Sequence, residues 1–131
     1  MSGKRSRDKG ARFEREIANT LSEKWNLPFA RGIIQTRGGG AEVADVCLQD
    51  VDGAKQKYPH IDKLHLECKH HKRASIPAAW RQAEADCKIS GRTPVCITKS
   101  DREKPLVTMS LDDWMEIMNV YILHGERVSE E

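Results

Sequence analysis

No stretch of this chain approaches the ~18 consecutive apolar residues that a membrane span needs. Its basic N-terminus has no hydrophobic segment behind it, so neither a membrane protein nor a secreted one is expected. Cysteine pairs at ligand spacing are missing as well. Cys47, Cys68, Cys87 and Cys96 fall singly inside apolar patterns, which predicts reduced, buried thiols in an intracellular, cytoplasmic protein and argues against a zinc knuckle. There is no internal repeat and no low-complexity tract. A glycine run occurs, but no Gly-Lys-Ser/Thr follows it at the right spacing and it is not a dinucleotide-binding fingerprint either. A large excess of one charge is also lacking, since the net formal charge is only +2. Its distribution is nonetheless uneven. Lys4, Arg5, Arg7, Lys9 and Arg12 open the chain, Lys69, Lys72 and Arg73 cluster in the middle, and Glu130 and Glu131 end it. Clustered cations of this kind suit a polyanionic partner. At 131 residues the chain supports one domain around one core.

Residues 1–8 read as a flexible basic arm, either a solubilising tail or a segment that touches a polyanion. From Ala11 to Trp25, Phe13, Ile17, Ala18, Leu21 and Trp25 recur at three and four and predict one apolar helix face. Glu14 shares an edge of that stripe with Ala18 and Leu21; on helix position alone it is a solvated glutamate paired with a Lys or Arg one turn away. Pro28 ends the helix, and Phe29 to Gln35 has the content of a first strand, bracketed by Arg31 and Arg37. Gly38, Gly39 and Gly40 form an ordinary loop or, because glycine permits φ > 0, bring N–H groups close to a phosphate. Their place directly before the apolar run Val43 to Leu48 favours the second reading.

Residues 50–62, polar and containing Gly53 and Pro59, predict a long hairpin connection to a strand over 64–69. His70 and His71 are neighbours that face opposite ways on a strand, without a partner at ligand spacing, so phosphate contact or simple exposure is expected of them. Ser75 caps a helix with Pro77 in its first turn; Ile76, Ala79, Trp80, Ala83 and Cys87 form the apolar face, and Gly91 ends it. Strands are predicted over 94–99 and 105–109, joined by the turn 101–104. Ser110 caps a last helix whose wide stripe, Trp114, Ile117, Met118, Tyr121 and Ile122, finishes the core or pairs with a second subunit. The expected division is an arm over 1–8, one domain over 9–124 and a polar tail over 125–131.

The chemistry concentrates in Leu64-His65-Leu66-Glu67-Cys68-Lys69. Alternation along a strand sends Glu67 and Lys69 to one face and Leu64, Leu66 and Cys68 to the other. Asp45 sits in the neighbouring strand. Two carboxylates hold a hard cation such as Mg²⁺, and an ammonium beside them acts on water and phosphate, so this trio suits metal-dependent phosphodiester chemistry.

Asp45 with Glu67-Cys68-Lys69 matches the D…ExK signature, and over about residues 7–100 the chain resembles the PD-(D/E)xK nucleases. Lys9-Gly10, Glu14-Arg15-Glu16, Ala30-Arg31 and the glycine run resemble in particular the archaeal-type Holliday-junction resolvases. Two features depart from the pattern: Ala44 stands where the superfamily name has proline, and the polar segment 50–63 is longer than a hairpin needs. The resemblance implies an α/β, restriction-endonuclease-like core, a mixed sheet flanked by helices. It implies that Asp45, Glu67 and the Cys68 carbonyl hold one or two Mg²⁺, with Mn²⁺ as the other candidate, and that Glu14 leans over the sheet to complete the metal site. Lys69 would orient water or stabilise charge. Gln82 would reach back from the helix after the strand, unless it is a surface glutamine. Phosphate contacts would come from Lys4, Arg5, Arg7, Lys9, Arg12, Arg31, Arg37, Gly38, Gly39, Lys72 and Arg73. The expected activity is a Mg²⁺-dependent endonuclease, a homodimer that resolves four-way DNA junctions by paired symmetric nicks. Two alternatives stand beside it: another endonuclease of the superfamily, in repair, packaging or restriction, and a non-catalytic DNA-binding module with structural carboxylates.

Overall fold

The computed structural model describes residues 2–32 and 43–130. Its first helix, α1 (Ser2–Trp25), buries Phe13, Ile17 and Ala18 along the stripe expected from their spacing. Asn26, in the left-handed conformation at φ 55, turns the chain out of it. The helix begins well before Ala11, so the basic segment read as an irregular arm forms its opening turns. Lys4, Arg5, Arg7 and Lys9 are good helix formers and no proline interrupts them, so a helix nucleated on the apolar stripe extends through them despite Gly3 and Gly10. Lys9 is further tied down by Asp101, 2.6 Å from its Nζ.

Strand β1 (Phe29–Arg31) follows, shorter than expected; residues 33–35 of that expected strand, and Arg37, Gly38, Gly39 and Gly40, lie outside the described residues. Strand β2 (Val46–Leu48) starts after Asp45, which occupies the bend just ahead of it. Asp45 is still held in the sheet's framework: its N–H donates to the Leu66 carbonyl at 3.1 Å, and its carbonyl accepts from Gly32 N–H at 2.8 Å. The connection expected as a plain hairpin loop contains two short helices, α2 (Ala54–Lys57) and α3 (Pro59–Asp62). Gly53, at φ 71, supplies the left-handed turn into the first, and Pro59 opens the second where its missing N–H is not needed. Ala54 and Ile61 pack on the core, so the extra length is folded.

Strand β3 (Leu64–His71), helix α4 (Ile76–Ser90) and strand β4 (Thr93–Ser100) form a βαβ unit. Ser75 Oγ accepts from Ala78 N–H at 3.3 Å to cap α4, and Gly91 at φ 69 ends it, both as expected. Strand β5 (Leu106–Thr108) and helix α5 (Leu111–Glu130) complete the chain, with Ser110 Oγ accepting from Asp113 N–H at 3.1 Å. α5 runs on through the residues read as a polar tail.

The strands lie in the order β1-β2-β3-β4-β5, with β3 and β4 parallel and every other pair antiparallel. This is the mixed sheet flanked by helices that the resemblance implied. Strands buried on both faces are what a parallel pair requires. Leu66, Cys68, Val95 and Ile97 face α1 in the main core with Phe13, Phe29 and Val46, while Cys96 meets Ala79 and Ala83 of α4 on the other side. α5 joins neither core. Its stripe, expected to finish the core or pair with another subunit, leaves Trp114 49% and Tyr121 70% exposed.

Candidate active site

The central strand builds the site because its two faces are used differently. Leu66 and Cys68 anchor β3 to the α1 core, which obliges His65, Glu67 and Lys69 to project toward α4. Glu67 is almost fully buried, and His65 Nε2 lies 2.8 Å from its Oε1. The His65 ring is wholly buried, and its Nδ1 has no partner among the described residues.

Asp45 reaches the same pocket from the bend before β2. Its Oδ2 accepts the Cys68 N–H at 2.9 Å, which fixes the carboxylate beside the ExK backbone. Burial and then the neighbouring Glu67 charge push Asp45 up to about 6, while the bond from Cys68 and the charge of Lys69 pull the other way. Cys68 offers the pocket only its backbone. Its thiol points into the α1 core, and burial followed by the charges of Asp45, Glu14 and Glu67 raises its pKa beyond any thiolate chemistry.

Glu14 comes from α1, where its edge position overlooks the sheet. Arg31 Nε donates to its Oε1 at 3.0 Å, so the partner is a strand residue and not one a helical turn away. Burial and the Asp45 charge raise the Glu14 pKa, with Arg31 and Lys69 opposing. Asp45 is thus the link: it feels the charges of Glu67 and Lys69, and Glu14 feels those of Asp45 and Lys69. Gln82 joins them indirectly, because it and Lys69 line a cavity of about 180 Å³ with His71, Ser75, Ala78 and Ala79.

Two further residues beside Glu67 escaped the sequence reading. A ring nitrogen of His65 and carboxylate oxygens of Glu67 and Asp86 lie within 4.8 Å of one another. His65 shares Glu67's strand parity and Asp86 stands one helical turn beyond Gln82, so both positions were visible in the spacing. These groups fit a divalent cation. Burial and neighbouring negative charge raise the pKa of Asp45 and of Glu14 beside them, and positive charge relieves that crowding.

The expected phosphate contacts divide. Lys4, Arg5, Arg7 and Arg12 are exposed along α1, and Lys72 and Arg73 are exposed beyond β3. Lys9 is paired with Asp101 and Arg31 with Glu14, so both cations already have carboxylate partners. Arg37, Gly38 and Gly39 lie outside the described residues. His70, expected to be exposed or on phosphate, is half-buried, with Nε2 3.0 Å from Asp101 and its ring edge-on to Phe13; burial and the Lys9 and Lys99 charges lower its pKa.

Comparison with curated proteins gave no match, and comparison with solved structures gave none. Residues 5–126 match the family model described as "Phage putative PDDEXK endonuclease", a span that includes both arms of the D…ExK pocket, and the chain belongs to that family.

Proposed function

We propose that this protein is a divalent-metal-dependent endodeoxyribonuclease that resolves four-way DNA junctions as a homodimer. Family membership makes it an endonuclease of the PD-(D/E)xK type. The observation that carries the assignment of roles is the Cys68 N–H bond of 2.9 Å that holds the Asp45 carboxylate beside the Glu67-Cys68-Lys69 backbone, within electrostatic reach of Glu67 and Lys69. Two carboxylates kept together away from bulk water repel unless a cation lies between them.

Asp45 and Glu67, with the Cys68 carbonyl, are the groups that would hold Mg²⁺ or Mn²⁺, which would supply charge to polarise the scissile phosphate and acidify water. Glu14, kept in place by Arg31, adds a third carboxylate, and His65 fixes the Glu67 oxygen that it touches. Lys69 orients the attacking water or donates to a non-bridging phosphate oxygen as negative charge grows on it. Gln82 lines the same cavity and helps to seat the phosphate. In-line attack breaks the bond from phosphorus to the 3′ oxygen and leaves a 5′-phosphate and a 3′-hydroxyl. The exposed cations of α1, together with Lys72, Arg73 and the Arg37 glycine segment, would grip phosphates, which favours recognition by shape over base sequence. Two symmetric nicks call for two copies related by a two-fold axis.

Asp45→Asn is expected to lower Mg²⁺-dependent nicking by about 10³-fold or more while junction binding persists. A single gel comparing a four-way junction with linear duplex, flap and nicked DNA tests the substrate. Preference for a linear or flap substrate would move the enzyme to repair, packaging or restriction. Failure to nick even supercoiled DNA in Mg²⁺ or Mn²⁺ would leave a DNA-binding module.

A further inference from the structure

Most of the exposed large apolar side chains among the described residues lie on α5. One side of this helix, carrying Asp113, Glu116, Ile117 and Val120, lines a groove against Lys63 and Leu64 of the domain body. Leu111, Trp114, Met118, Tyr121 and Gly125 lie on another side, turned away from that groove, and they recur at four and three. This is the seam spacing of helices that pack along their length. Met115 and Ile122 widen it. Leu111 is 67% exposed, Trp114 49%, Tyr121 70% and Ile122 54%.

We infer that this seam pairs with the same seam of a second copy, the two α5 helices running antiparallel about a two-fold axis at Asn119-Val120. In that register Trp114 of one copy lies opposite Gly125 of the other, and Met118 lies opposite Tyr121. The largest side chain of the seam thus faces the smallest. Among the described residues, a Cβ at Gly125 would meet nothing within 4 Å, which leaves room there for the indole. Large-against-small alternation is how facing helix layers fill the space between them. Five large side chains of the seam, Leu111, Trp114, Met115, Tyr121 and Ile122, keep about half or more of their surface exposed, a supply of apolar area on the scale that the ~800 Å² per partner of a standard stable interface draws on. Nucleic acid is a poor occupant, because the helix opens with Asp112 and Asp113 and Glu116 follows one turn on. The inference gives the two-fold of the proposed function a surface, and its test uses no DNA, so the failure of either is visible separately.

The test is the solution mass of the metal-free chain by sedimentation equilibrium. Wild type is expected at twice 14.9 kDa. Tyr121→Glu, at a side chain too exposed to matter to the domain core, is expected to raise the dissociation constant by about 100-fold or more. Gly125→Trp sets indole against indole and is expected to be monomeric. Trp114→Gly added to Gly125→Trp restores the large-against-small pairs and is expected to dimerise again. A monomeric wild type, a Tyr121→Glu chain that dimerises like wild type, or a Gly125→Trp chain whose dimer is unchanged would overturn the inference. A double variant that stays monomeric while keeping its helical circular dichroism would overturn the register.

Discussion

Asp45 is the residue on which proton, cation and fold meet. Its folded pKa of about 6 lies above the ordinary 3.8, so between these values the folded chain holds a proton that the unfolded chain has released. The contribution of Asp45 to stability is fully present below about pH 4 and is lost as the pH rises through about 6. The loss is on the order of 2–3 kcal/mol for a shift of this size. Urea unfolding of metal-free wild type and Asp45→Asn should therefore diverge with pH, the variant becoming relatively more stable toward neutrality; parallel curves would separate Asp45 from Glu67. Cation affinity should rise over the same interval, because the cation competes with that proton. At this scale the sequence was informative where periodicity and motif coincided. Asp45, Glu67 and Lys69 could be read because alternation assigns faces. Glu14 could be placed only by resemblance, since its partner Arg31 is 17 positions away and no helical spacing reveals it. His65 had the right parity, but a histidine between leucines gives no hint that it touches the glutamate two residues on.

Among the elements, the short crossing of β1 past the Asp45 bend is the most constrained. The Gly32 N–H donates to the Asp45 carbonyl, and a Cβ at Gly32 would sit on the Ala44 carbonyl oxygen. Gly32→Ala must push backbone against backbone, and overpacking of that kind costs about 1–3 kcal/mol. It should also weaken Mg²⁺ binding, measured by calorimetry, since the displaced segment carries Asp45; a variant with normal stability and normal affinity would mean that the two chains do not touch. Helix α4 was legible at both ends because Ser75, Pro77 and Gly91 punctuate it. The basic start of α1 and the pair α2 and α3 were not, because a run of charge looks like solvent-loving coil until a neighbouring apolar stripe recruits it into a helix.

For the whole molecule, the weak net charge of +2 hides a division of labour among cations. Lys4, Arg5 and Arg7 are exposed, whereas Lys9 and Arg31 are paired with carboxylates. In an Asp45→Asn background, replacing the first three by alanine should reduce the slope of log K against log salt for DNA binding by about 2–3, at roughly 0.9 per phosphate contact. Lys9→Ala should change it less, because a phosphate must first displace Asp101. An unchanged slope in the triple variant would remove the start of α1 from the DNA footprint. The mixed sheet and its flanking helices followed from pattern and resemblance, while the outward turn of α5 did not, because an amphipathic stripe does not say what will cover it. The eight residues of β3 carry one further consequence. Insert or delete a single codon there and every side chain beyond it changes sides, so that cation ligands enter the oil and leucine enters the acid pocket. Drift in length is therefore barred along this strand, whereas the helical detour over 54–62 can grow or shrink without disturbing which way Glu67 points.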